Sequence, residues 1–258
     1  MKKAPQSKKR TLSQSIFVVI IGIFSVITWI NNEKKESKQT ESTTNTEKSQ
    51  ANKTQTNVTQ STSNLKIPEN LGYYDTSLSR DSFGQNKNAP VDYYMLALSW
   101  SPEFCEYQAR RNNGKIPENL QFQCNNSEQF GWVIHGLWPQ NAHARSVEDH
   151  PRFCQGDLPP VSEAVIKKYL PESPGASLLQ GEWEKHGACA FDTAESYFKK
   201  QKMLFKSLNL PGHEMSRNEL FQWMKKFNPQ LQNAYLQSRN NELYICYDKG
   251  WNVQDCPR

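Results

Sequence analysis

All six cysteines of this chain lie between Cys105 and Cys256, and the first hundred residues hold none. No CxxC pair occurs among them. An even, well-spread set behind an apolar N-terminal segment reads as three disulfides formed in an oxidising compartment. A zinc site would need clustered ligands, which this spacing does not supply, so no metal and no cofactor are expected. The fold must therefore let distant loops be stapled to one body.

The N-terminal quarter has a different composition. Lys2, Lys3, Lys8, Lys9 and Arg10 precede an apolar run from Ile16 to Ile30. Residues 1–11 read as a short basic cytoplasmic tail, and residues 12–30 as a signal-anchor or transmembrane segment. Counted from Leu12, the run approaches the roughly 20 residues that a spanning helix needs. No A-x-A-like cleavage site follows, so the expectation is an uncleaved membrane anchor with its N-terminus inside. Cleavage would instead give a secreted protein. Either way the body faces the periplasm or the exterior. Residues 31–64 are almost wholly Thr, Ser, Asn, Gln, Lys and Glu, too polar to offset the entropy of ordering. They read as a flexible stalk, residues 65–84 as a lead-in to the body, and residues 85–258 as one folded domain.

Net charge does not mark the body as a polybasic grip. Residues 1–64 carry ten Lys/Arg against four Asp/Glu, and residues 65–258 carry 21 against 22. Any contact with nucleic acid must be local, at a cleft.

Alternation of bulky residues predicts a strand over 91–100, with Tyr94, Leu96, Leu98 and Trp100 on one side. Phe130–Ile134 and Glu242–Tyr247 read as further strands, with His135 at the end of the first. Residues 110–129 and 139–160 read as loops. Helices are expected over 162–170, from a cap at Asp192 to about Leu208, and after the Ser216/Glu219 capping signal. Strands and helices do not alternate regularly, which points to an α+β fold: a central antiparallel sheet with several helices packed on it and three disulfides.

Two stretches carry chemistry. Gly181-Glu182-Trp183-Glu184-Lys185-His186-Gly187-Ala188-Cys189, if helical, sets Glu182 and His186 one turn apart with Lys185 beside them. Trp132-Val133-Ile134-His135-Gly136-Leu137-Trp138-Pro139 offers a second histidine in an aromatic frame. The plain alternatives are an amphipathic helix with an ordinary Glu–Lys pair and a buried histidine bonded to backbone. Trp138 is either core or a stacking platform for a base. His143, His150 and His213 lie in polar loop contexts and receive no role. A zincin needs His at i and i+4, but Glu182 occupies the i position. Cys–His catalysis fails if every cysteine is bridged.

The two stretches resemble the paired active-site segments of the ribonuclease T2 family. Asp92–Pro102 with Cys105, the loop bearing Cys154, and Leu243–Lys249 with Asp255-Cys256-Pro257 agree in order and spacing, so the likeness runs from about residue 90 to the C-terminus. It implies an endoribonuclease that cleaves single-stranded RNA without metal, through a 2′,3′-cyclic phosphate. The implied acid/base pair is His135 and His186, with His186 favoured as base. Glu182 and Lys185 would stabilise the pentacovalent state, and Trp138 would bind substrate. DNA, lacking the 2′-OH, should not be cut, and the protein should be a monomer. The implied disulfides are Cys105–Cys124, Cys154–Cys189 and Cys246–Cys256; spacing alone allows fifteen connectivities. Two positions depart from the pattern. Gly181 stands where many members have His, and Gln140 where some have an Asp involved in base recognition. The rival readings are a non-catalytic, membrane-tethered RNA-binding or interaction protein on the same fold, and a disulfide-stapled binding module.

Overall fold

The computed structural model describes residues 65–239 and 241–257. The basic tail, the anchor and the stalk expected over residues 1–64 lie outside the described residues. Among the described residues no helix is long and apolar enough to cross a membrane.

Five strands form one antiparallel sheet: β1 (Tyr93–Trp100), β2 (Trp132–Gln140), β3 (Gln237–Arg239), β4 (Glu242–Tyr247) and β5 (Val253–Gln254). Their order is β2-β1-β4-β3, with β5 also pairing β4. Among the described residues there are seven α-helices: α1 (Ser101–Arg111), α2 (Gln121–Cys124), α3 (Ser127–Phe130), α4 (Glu163–Tyr169), α5 (Ala176–Lys185), α6 (Ala194–Lys206) and α7 (Arg217–Phe227). The chain is α+β with three disulfides, Cys105–Cys124, Cys154–Cys189 and Cys246–Cys256.

The sheet forms where alternation put it. Tyr94, Leu96, Leu98 and Trp100 of β1 join Leu243 and Ile245 of β4 in the main core, which the helices cover. The free edge of β2 is closed by other parts of the chain. The Ile134 N–H donates to the Glu172 carbonyl (2.8 Å), and the Tyr197 hydroxyl both accepts from the Leu137 N–H and donates to its carbonyl. An edge so covered offers no template for another strand.

Local signals held unevenly. The Ser216/Glu219 capping box opens α7 as expected. At α6 the cap is Thr193, whose hydroxyl accepts the Ser196 N–H, rather than Asp192. β2 runs on to Gln140 instead of stopping at His135, because both β1 and the Tyr197 hydroxyl hold its later residues. Residues 110–129 are not one loop: the end of α1, a 3₁₀ turn (Glu118–Leu120), α2 and α3 lie there, drawn inward by the Cys105–Cys124 bridge and by Phe130. The lead-in also packs on the body. Tyr74 donates to the Val161 carbonyl, and Asp81 accepts from Arg152; just past the lead-in, Asn86 exchanges backbone hydrogen bonds with Arg152.

Gly187, just after α5, is enclosed. A Cβ there would lie 2.7 Å from the rings of both Trp183 and Tyr197. Because Tyr197 is fully buried and bonded to β2, it cannot retreat cheaply. Gly187→Ala is expected to cost about 1–3 kcal/mol of stability, read as a lower thermal midpoint.

Candidate active site

His135 owes its position to an irregularity in the sheet. Along β1 and β2, Ala97 pairs with Gly136 and Leu98 with Ile134, which leaves His135 without an opposite residue. Such a bulge re-aims the extra side chain. The imidazole of His135 reaches across β1 to β4, where its Nδ1 meets the Glu242 carboxylate. Its Nε2 lies 3.5 Å from Glu182 Oε1, too long for a strong hydrogen bond but close enough for charge to act.

Glu182 comes from the last turn of α5. Its Oε2 accepts the indole N–H of Trp138 at 2.7 Å. This approach needs a glycine at 136, since a Cβ there would fall 1.9 Å from Glu182 Oε2. His186 follows as the first residue past α5, with φ −123° and ψ −54°, so the helix face expected over Glu182–His186 breaks at its last member. Its N–H still bonds back to the Glu182 carbonyl (3.1 Å). The ring of Trp138 neighbours both histidines, 5.2 Å from the His135 centroid and 5.7 Å from that of His186.

The two imidazoles are in opposite fields. Burial disfavours the charged form of His135, but Glu242 and Glu182 outweigh it and raise its pKa above the ordinary value. His186 is buried, and its Nδ1 meets no hydrogen-bond partner among the described residues. Burial first, then the positive charges of Arg152, Lys185 and His135, hold its pKa well below 6.5.

Those cations have a counter-ion that local sequence did not reveal. Lys185 Nζ lies 2.8 Å from Asp81 Oδ2, and Arg152 donates to both oxygens of the same carboxylate. Burial opposes ionisation of Asp81, but the hydrogen bonds from Lys185 and Arg152 prevail and hold it far below the usual carboxylate range. The loop carrying Arg152 is fixed by the Cys154–Cys189 bridge and by the Phe153 N–H donating to the Lys185 carbonyl at 2.9 Å. Phe153 sits in the left-handed region, with φ 47°, a conformation that persists only where its surroundings impose it.

The structure thus brings His135, Trp138, Glu182, Lys185 and His186 together, and adds Glu242, Asp81 and Arg152. The charge of Lys185 is shared with Asp81, and the indole N–H of Trp138 is used on Glu182. Glu242 has one faint sequence signal, a carboxylate opening an otherwise apolar strand. Asp81 and Arg152 have none, since nothing local ties a lead-in residue to a loop 71 positions later. His150 is elsewhere, accepting the Asn141 N–H. Gln140 is buried and donates to the Pro139 carbonyl.

The profile described as the ribonuclease T2 family matches residues 91–239. A probable ribonuclease of Haemophilus influenzae is 57% identical over 192 residues, 74% of this chain and 71% of that one. Ribonuclease I of Escherichia coli is 30% identical over 135 residues, 42% of this chain and 50% of that one. Among solved structures, an RNase-related protein from Calystegia sepium is similar at 20% identity and a TM-score of 0.48, covering 66% of this chain and 93% of that one. A likeness at that level bears on neither substrate nor chemistry.

Two substitutions probe this geometry. Gly136→Ala must push Glu182 away from Trp138 and His135, and should lower ribonuclease turnover by on the order of 10²-fold, measured as initial rate. Asp81→Asn leaves two cations without their counter-charge and should destabilise the fold by on the order of 3 kcal/mol at neutral pH. Because the folded carboxyl is held below its unfolded value of about 3.9, its contribution is present above that pH and lost as pH falls through the folded value. The native thermal midpoint should therefore fall on acidification below about pH 4, and the Asn variant should fall less steeply there.

Proposed function

The chain belongs to the ribonuclease T2 family, and from that premise we propose an extracytoplasmic endoribonuclease that cuts single-stranded RNA by metal-free transphosphorylation. The ribose 2′-OH attacks the adjacent phosphorus, the bond to the 5′-oxygen breaks, and a 2′,3′-cyclic phosphate and a free 5′-OH result. The step needs a base for the 2′-OH proton, an acid for the leaving oxygen, and charge beside the phosphorane.

The opposed electrostatics of the two histidines carry this reading. His186, whose pKa burial and nearby cations lower, suits the base; His135, whose pKa its carboxylates raise against burial, suits the acid. The assignment follows from populations. When the base has the lower pKa and the acid the higher, nearly all of the enzyme between the two values is in the productive ionisation state. Reversed roles would leave only a small fraction productive at any pH. Lys185 and Arg152, with Asp81 between them, form a cluster of net charge plus one beside His186, a place for phosphate oxygens. Glu182, whose carboxyl pKa burial pushes up, donates to a phosphate oxygen when protonated or steadies the His135 imidazolium when ionised, and Trp138 holds it in place.

DNA lacks the nucleophile and is not a substrate. The three disulfides and the apolar N-terminal segment support a protein working outside the cytoplasm, tethered to the membrane or, after cleavage, secreted.

The test is the full chain with single-stranded RNA in EDTA. A cyclic-phosphate product and a bell-shaped pH profile are expected, with the acidic limb well below pH 6.5. His135→Ala or His186→Ala should each cost on the order of 10²–10⁴ in rate. Absence of the cyclic product at every pH, or activity lost to EDTA and restored by zinc, would overturn the reading.

A further inference from the structure

The His135 bulge is held at its far side by a carboxylate that is itself fully engaged. Glu242 opens β4 and lies in register opposite Ser99 of β1, one strand away from β2. Its Oε1 accepts the Ser99 hydroxyl at 3.0 Å and also meets His135 Nδ1; its Oε2 accepts the Tyr244 hydroxyl at 2.7 Å. The side chain is 16% exposed. Sheet register fixes Ser99, and Tyr244 sits two residues along the same strand. The carboxylate therefore has a set orientation before any substrate arrives.

A carboxylate with three such donors stays ionised despite burial, so Glu242 is a standing acceptor and no proton source. An ionised acceptor at Nδ1 requires a proton on Nδ1. In neutral His135 that leaves Nε2 bare, and in the imidazolium Nε2 carries the proton to be delivered. Nε2 is also the nitrogen that lies near Glu182, 3.5 Å from its Oε1. The charged groups around this ring are Glu242 from β4, Glu182 and Lys185 from α5, and His186 just past it, with Tyr244 reaching the ring only through Glu242.

We propose that Glu242 is the positioning residue of His135, fixing the tautomer and the aim of Nε2 and keeping the ring protonated until it gives its proton to the leaving 5′-oxygen. This rests on the assignment of His135 as the acid. The competing role is structural: the pair would only staple the β2 bulge to β4 across β1, roughly two strand spacings or 10 Å. A staple affects stability and leaves the pH profile and the kcat–KM split untouched.

The experiment uses the full chain carrying Glu242→Gln, Glu242→Ala or Glu242→Asp, with His135→Ala alongside. Substrate is a ribodinucleoside monophosphate, and kcat and KM are followed against pH. Gln can still accept from Nδ1 but lacks the charge. Glu242→Gln should lower kcat on the order of 10-fold with KM little changed, and should move the alkaline limb to lower pH. Glu242→Ala should lose on the order of 100-fold, and Glu242→Asp should regain part of it. Glu242→Gln and Glu242→Ala turning over at the native rate and pH profile, while His135→Ala is inactive, would overturn the proposal and spare the acid assignment. Full activity in His135→Ala would instead overturn the assignment beneath it. Should Glu242→Ala fail to fold, ¹⁵N NMR titration of the native His135 ring decides. Neutral imidazole protonated at Nδ1, titrating above the ordinary histidine value, is expected; protonation at Nε2 in the neutral form would overturn the proposal.

Discussion

The carboxylate of Glu182 lies where any side chain on residue 136 would have to be. That exclusion lets the last turn of α5 close on β2. Once there, Glu182 reaches the Trp138 indole and comes within 3.5 Å of His135, two residues that β2 supplies. His186 arrives on the same helix end. Two elements far apart in sequence thus share one site because one position carries hydrogen in place of a methyl group. Gly187 repeats the device one residue past His186, where the turn leaving α5 runs against the Trp183 and Tyr197 rings.

What distinguishes the two histidines is the layer behind them. Carboxylates stand beside His135, Glu242 on one side and Glu182 on the other. Cations stand near His186, and desolvation acts in the same direction as their field. Identical side chains 5–6 Å from one indole are thereby pushed apart in pKa. Asp81 moderates the cationic side. With it, Arg152 is a paired buried charge; without it, Arg152 would be a buried charge alone, which is strongly unfavourable.

The parts of this arrangement that sequence made legible are those with local periodicity or motif spacing. Alternation found β1 and β4, the Ser216/Glu219 box found the start of α7, and two short motifs found His135, Trp138, Glu182, Lys185 and His186. Other features depend on tertiary context. The continuation of β2 past His135 needs β1 and Tyr197, and no stretch of its own sequence announces that. The short helices α2 and α3 are polar enough to read as loop until the Cys105–Cys124 bridge is counted. Glu242, Asp81 and Arg152 act by pairing across the fold, and a pair is invisible when its members are read one at a time.

The lead-in and the departure at Gly181 are best understood together. A Cβ on Gly181 would meet Thr76 of the lead-in at 3.5 Å, ordinary contact, and a longer side chain would run into that segment. A small residue at 181 therefore goes with a lead-in that crosses α5 and delivers Asp81 five residues later. From there the chain continues to Asn86, whose backbone pairs with Arg152, and the loop after Arg152 is bonded to Lys185 and bridged to Cys189. Lead-in, loop and helix end form a closed circuit around the cations. Charges on free surface side chains would be weakened by salt over about 8–10 Å, but a largely buried, cross-braced cluster is screened much less. The field that adds to burial in lowering the His186 pKa is in this sense a product of the fold's covalent and hydrogen-bonded bracing rather than of net charge, which in the body of the chain is close to zero.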